Sequence, residues 1–208
     1  YYLNASSMML GNSGIQLTPL QAIIISILLL ISCWLLYDYL CKNVLKDNEQ
    51  TLIAIGFFLF IILSYSLTQI YGSRAAYIHV GAIIGTIMAA NVFRVIIPAQ
   101  KILVTAAENN EKPNLDLSLE AKNRSIHNNY FTLPVLFIMI SSHFSFTYGA
   151  INNWLILAVI SIAGILTRHY FNLRNKKQYK FWILPTAGMI MFFLMTLSSL
   201  SVFERKET

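Results

Sequence analysis

Charge is scarce in this chain. Of its 208 residues only 12% are Asp, Glu, Lys or Arg, about half of the roughly 25% that a soluble domain carries. Hydrophobic residues make up 56%, and they fall in long blocks, which excludes an ordinary soluble core. Cysteine is nearly absent as well. Cys33 and Cys41 form no C-x-x-C pair, so there is no thiolate zinc site, and no C-x-x-C-H string offers covalent c-type haem attachment. Both lie in or beside an apolar run and read as packing residues. No internal repeat or low-complexity tract is present. Nor is there a basic leader with a cleavage pattern, so no signal peptide is visible, and the opening Tyr1-Tyr2 implies a preceding span that ended near Tyr2. The net charge of +6 is not a nucleic-acid signal, because basic residues flanking membrane spans arise from topology alone.

What is present reads as an all-α, polytopic membrane helix bundle in a single domain covering residues 1–208. About six transmembrane helices are expected, at 20–40, 51–71, 75–97, 128–145, 154–172 and 181–203, with a partly helical cytoplasmic loop. Residues 3–17 are polar and read as an exposed loop. Thr18-Pro19 is a helix start, a capping hydroxyl followed by a proline at the first helical position. Trp34, Tyr37 and Tyr39 suit an interfacial belt. Gly72-Ser73-Arg74 makes a tight turn, and Pro98 ends the third span. Gly81, Gly85 and Ala89, spaced by four, read as a groove for close helix packing, with ligand contact as the alternative. Residues 99–107 are amphipathic enough to lie along the membrane surface, and 117–125 wind directly into the fourth span. There Pro134 should kink the helix or free a carbonyl.

Six alternating spans sort the loops into two sets. One side receives Lys42, Lys46, Lys101, Lys112, Lys122, Arg124, Arg174, Lys176, Lys177 and Lys180; the other has only Arg74, Arg205 and Lys206. That asymmetry places the basic side in the cytoplasm and the C-terminus outside.

All four histidines fall at span edges, His79 and His143 near the outer face, His127 and His169 near the inner one. Such positions suit haem ligation or proton transfer, because ionisable groups inside a membrane are costly. Hydrogen bonding to headgroups or a carbonyl is the alternative. His127 and His143, sixteen positions apart, would lie roughly 24 Å apart along a helix. A residual rotation of roughly 160° would point them opposite ways on a straight one. Arg74, Arg94 and Arg168 also sit near span edges, where a guanidinium can hold a flat anion or snorkel to headgroups. Asn91, Asn128 and Asn129 join Arg124 and His127 in a polar cluster on the inner half.

Four strings carry a family resemblance: R-A-A-Y-I-H-V-G-A-I-I-G-T-I-M-A-A-N-V-F (74–93), V-I-I-P-A-Q (95–100), A-K-N-R-S-I-H-N-N-Y-F-T-L-P-V-L-F (121–137) and R-H-Y-F-N-L-R (168–174). Over about Leu17 to Lys176 the chain resembles the membrane domain of the bacterial cytochrome-linked urate oxidases, or urate hydroxylases. The resemblance implies a multi-pass enzyme of the bacterial inner membrane that serves purine catabolism. It would oxidise urate to 5-hydroxyisourate and pass electrons to a cytochrome c. The family's earlier N-terminal helices and its C-terminal cytochrome domain do not fall within these residues. Haem c would therefore belong to an absent or separate cytochrome, attached where a periplasmic C-terminus would put it. Chemistry then assigns Arg74, Asn91, Arg124, Asn128, Asn129 and Arg168 to urate, a planar anion with amide edges. His79, His127, His143 and His169 become candidate catalytic bases or haem b ligands, paired 79 with 143 and 127 with 169. The rival class is a non-enzymatic membrane subunit, either a purine-anion carrier or the anchor of a respiratory complex.

Overall fold

A computed structural model of the chain describes residues 18–44, 49–150 and 152–207, every regular element of which is helical. The expected loop at 3–17, and Lys46 with it, lie outside the described residues. Helix α1 (Pro19–Tyr39) starts as its sequence demands. Thr18 Oγ1 accepts from Gln21 N at 3.3 Å, and Gln21 Oε1 accepts from Thr18 N at 2.9 Å, so two otherwise unbonded donors are satisfied reciprocally behind Pro19. The helix ends in a wide π turn, Leu40–Val44. Next come α2 (Glu49–Ile70) and α3 (Ser73–Asn91).

Pro98 does not end the third helix. A π segment, Val92–Ile96, follows α3, and the Ile97 amide reaches five residues back to the Val92 carbonyl. This shift of the hydrogen-bond register puts Pro98 in the first turn of α4 (Ile97–Glu108), where its missing N–H costs little. The helix therefore runs from Ser73 to Glu108, 36 residues, which at 1.5 Å each is about 54 Å. That exceeds a hydrocarbon core of about 30 Å, so α4 extends beyond it.

Helix α5 (Leu115–Ile140) is capped by Asn114, whose side chain accepts from Leu117 N at 3.1 Å. It carries the expected fourth span but stops five residues early. Ser141–His143 form a 3₁₀ turn, with Ser141 Oγ donating to the Ile138 carbonyl at 2.6 Å, and the four-residue α6 (Ser145–Tyr148) follows. Helices α7 (Asn153–Asn175) and α8 (Ile183–Glu207) complete the order. Among the described residues, four helical stretches are long and apolar enough to cross a membrane: Pro19–Asn43, Thr51–Ile70, Ser73–Glu108 and Asn153–Asn175. Helix α8 contributes a shorter apolar stretch, Ile183–Thr196. Helix α5 falls short by composition because it brings charged and amide residues into the bundle.

The bundle is a ring in which α2 packs on α3, α3 on α5, α5 on α7 and α7 on α2; α1 lies against α3 and α8 against α7. Its core includes Leu67, Tyr71, Ala75, Ala76, Tyr77, Val80, Ile83, Ile138 and Leu157. Two glycines set how closely α5 can approach its neighbours. A Cβ on Gly81 would stand 2.6 Å from Ile138 Cγ2, and one on Gly164 would stand 3.3 Å from Leu133 Cβ and 3.4 Å from Pro134 Cδ. Of the small-residue stripe on α3, only Gly81 is thus a packing position: Gly85 has open space beside it and Ala89 is exposed. Exposed Leu20, Ile24, Ile27, Leu28 and Ile31 on α1 are the apolar surface that lipid accepts.

Candidate functional site

Three helices converge on one charged cluster at the basic end of the bundle. The last turn of α1 supplies Tyr37 and Asp38, the last residue of α3 supplies Asn91, and α5 supplies Arg124, His127 and Asn128. On α5 the spacing of three and four residues puts those side chains on one face. Arg124 Nη2 donates to Asp38 Oδ1 at 2.7 Å, a charge-assisted bond, while Glu120 Oε1 lies 3.7 Å from the same nitrogen. Nη1 donates to Asn91 Oδ1 at 3.4 Å. Asn91 Nδ2 donates to Asn128 Oδ1 at 2.9 Å and to Tyr37 Oη at 3.2 Å, and Asn128 Nδ2 donates to the Met88 carbonyl at 2.9 Å. Tyr37 Oη also bonds His127 Nδ1 at 2.7 Å, and its ring lies 5.0 Å from the Arg124 guanidinium carbon.

Asn91 is 0% exposed and the Arg124 side chain 2%. A fully charged guanidinium is therefore held inside the helix bundle, a placement that is tolerable only with a counter-ion and hydrogen bonds.

A second inner group joins α5 to α7. Arg168 Nε donates to Asn129 Oδ1 at 2.5 Å, and Tyr130 Oη bonds His169 Nδ1 at 2.8 Å with the two rings stacked 6.1 Å apart. Because Asn128 and Asn129 are adjacent on a helix, they point about 100° apart. One therefore serves the α1/α3 side and the other serves α7.

The outer tier is neutral. His79 Nδ1 bonds the Ala75 carbonyl at 2.8 Å, which fixes that nitrogen as a donor. Its Nε2 lies 2.8 Å from Ser26 Oγ, and Ser26 Oγ lies 3.2 Å from Tyr71 Oη. The neutral imidazole is satisfied when Ser26 gives its one proton to Nε2, which leaves the Ala22 carbonyl to accept from Tyr71 Oη at 3.3 Å. The Tyr71 ring stacks on the imidazole at 4.3 Å. Tyr77 Oη donates to the Asn153 carbonyl at 2.7 Å, tying α3 to the start of α7.

The structure thus brings Asn91, Arg124, His127 and Asn128 together and sends Asn129 and Arg168 to a separate contact. Arg74 stays exposed at the start of α3. Arg94 is exposed too, its guanidinium carbon 5.7 Å from the Trp34 ring. Sequence reading missed Tyr37 and Asp38. The signal for Asp38 was available: it is the lone charged residue between Pro19 and Cys41, and a charge in an apolar run needs a partner.

The four histidines are held in different ways. His79 has both ring nitrogens engaged within packed core, and His143 is exposed on the 3₁₀ turn. His127 and His169 each give Nδ1 to a different tyrosine. Among the described residues, no group of three or more His, Cys, Asp or Glu could hold a metal ion.

No curated protein and no solved structure matches the chain. Residues 1–199 do match the model of the family described as urate oxidase N-terminal. That match takes in all three helices that build the charged cluster, and by it the chain belongs to the urate oxidase N-terminal family.

Proposed function

We propose that this chain is the membrane part of a urate-oxidising enzyme and that the Arg124 cluster is where urate binds. The family match over residues 1–199 carries the reading. The cluster supports it chemically. Urate is a planar anion edged with amides. A guanidinium held between Asn91 and Asn128 offers one positive fork flanked by groups that both donate and accept. His127, hydrogen-bonded to Tyr37 Oη, is the base within reach of that site.

The reaction removes two electrons from urate: urate and water give 5-hydroxyisourate, two protons and two electrons. A cytochrome c takes the electrons in two one-electron steps. His127 accepts a proton as water adds, and Arg124 holds the anion in place. In the bacterial inner membrane, the basic loops set this end of the bundle on the cytoplasmic side, and the chain's C-terminus is periplasmic.

The test is urate consumption by the purified, detergent-solubilised enzyme with and without oxidised cytochrome c. Loss of urate matched by two equivalents of reduced cytochrome is the expected result. If no acceptor supports urate loss, while labelled urate crosses proteoliposomes holding the chain, the protein is a carrier and the reading fails.

A further inference from the structure

Asp38 already occupies the guanidinium that the proposed substrate would need. Its two carboxylate oxygens bond different cations. Oδ1 accepts from the buried Arg124 at 2.7 Å, and Oδ2 pairs with Lys42, one turn further along α1, at 3.1 Å. Exposure rises along that line, from 2% at the Arg124 side chain to 18% at Asp38 and 47% at Lys42. The three charges therefore form a path from water to the interior of the bundle, and the carboxylate stands in its middle. Asn91, by contrast, accepts from Arg124 at a long 3.4 Å, so the short bond to Asp38 is what closes the fork.

We infer that Asp38 is an internal stand-in for the bound anion: a planar anion arriving from the basic face displaces it from Arg124, and Lys42 retains the released carboxylate. The inference rests on the reading of this cluster as the substrate site and adds to it the side of access and the group that must move. The pair with half-exposed Lys42 gives the carboxylate a second cation to rest on once it leaves Arg124. A displaceable carboxylate requires such a second cation, because releasing it without one would leave a charge unpaired at the edge of the membrane. Two residues then control apparent affinity in opposite directions. Neutralising the stand-in removes a competitor for Arg124, and removing Lys42 makes that competitor hold on harder.

Formate is the probe, because it is the planar carboxylate of Asp38 without its chain. Glu120 stands 3.7 Å from the same Arg124 nitrogen, so the variant tested is the full chain carrying both Asp38→Ala and Glu120→Gln. Its melting temperature in detergent is compared in sodium formate and in sodium chloride at equal ionic strength. A formate-specific rise of several degrees, absent from the unaltered chain and lost when Arg124→Met is added, is the expected result, since a ligand that binds only the folded state stabilises it. A folded variant that is indifferent to formate overturns the inference.

The second measurement needs neither of these substitutions. Lys42→Met should raise the KM for urate several-fold while kcat holds, and an unchanged or lower KM overturns the inference. Formate stabilisation requires no turnover. An indifferent melting curve beside normal urate oxidation therefore sinks the stand-in alone, and a formate response without urate oxidation sinks the reaction alone.

Discussion

The two ends of the bundle solve one problem, polar groups inside a bundle of apolar helices, in opposite ways. At the outer end His79, Ser26 and Tyr71 form a neutral set closed on itself and on the Ala75 and Ala22 carbonyls. At the inner end Arg124 and Asp38 bring full charge inside, and their line of contacts leads out through Lys42 to water. A neutral set can be satisfied completely by local hydrogen bonds and then has no reason to exchange partners. A buried ion pair meets a desolvation cost that its own attraction only partly offsets, which makes it a poor device for stability alone. On the proposed reading the outer tier holds the helices together and the inner one binds the ligand.

The largest effect expected from breaking this contrast is at Asp38. Asp38→Leu leaves the Arg124 guanidinium buried without its short-range counter-ion and should cost about 3 kcal/mol or more of stability, read as a fall in melting temperature. At the packing seam between the two tiers, Gly81→Ala drives a methyl into Ile138 and should cost about 1–3 kcal/mol. Urate KM should stay nearly unchanged, because no cluster residue is touched. Tyr37→Phe keeps the ring beside Arg124 but removes the hydroxyl shared by His127 and Asn91. It should cost about 1 kcal/mol and lower kcat more than it raises KM. Ser26→Ala, the matching cut at the outer end, should cost about 0.6–2 kcal/mol, as interhelical bonds in membranes do, with kcat and KM both intact. If Ser26→Ala slowed urate oxidation as much as Tyr37→Phe, the division of labour between the tiers would be lost.

Much of the architecture was legible because it follows from local rules. Thr18-Pro19 and Gln21 specify a capped start wherever the chain goes. Long apolar runs specify helices that cross lipid, and antiparallel alternation then puts Ser26, Tyr71 and His79 at one level and Tyr37, Asn91 and His127 at the other. The inner amides and arginine were also legible, since Arg124 and Asn128 share a helix face by spacing alone. Three features were not. Pro98 read as a stop because proline breaks an α-helix, yet the π segment before it absorbs the lost donor. The tyrosine that each inner histidine bonds was not legible either, because depth along a helix does not fix azimuth. Tyr37 read as a headgroup anchor because an aromatic at a span's end usually is one. Only the packing of α5 against the end of α1 turns it inward onto Arg124.

The account rests on Asp38 and Arg124 acting as one buried pair. A double-mutant cycle of Asp38→Leu and Arg124→Leu, read as unfolding stability in detergent, tests this most directly. The account predicts that Asp38→Leu is strongly destabilising, that Arg124→Leu costs less because Lys42 retains the carboxylate, that the double variant recovers to within about 1 kcal/mol of the unaltered chain, and that the coupling is about 2 kcal/mol or more. Losses that simply add would contradict it.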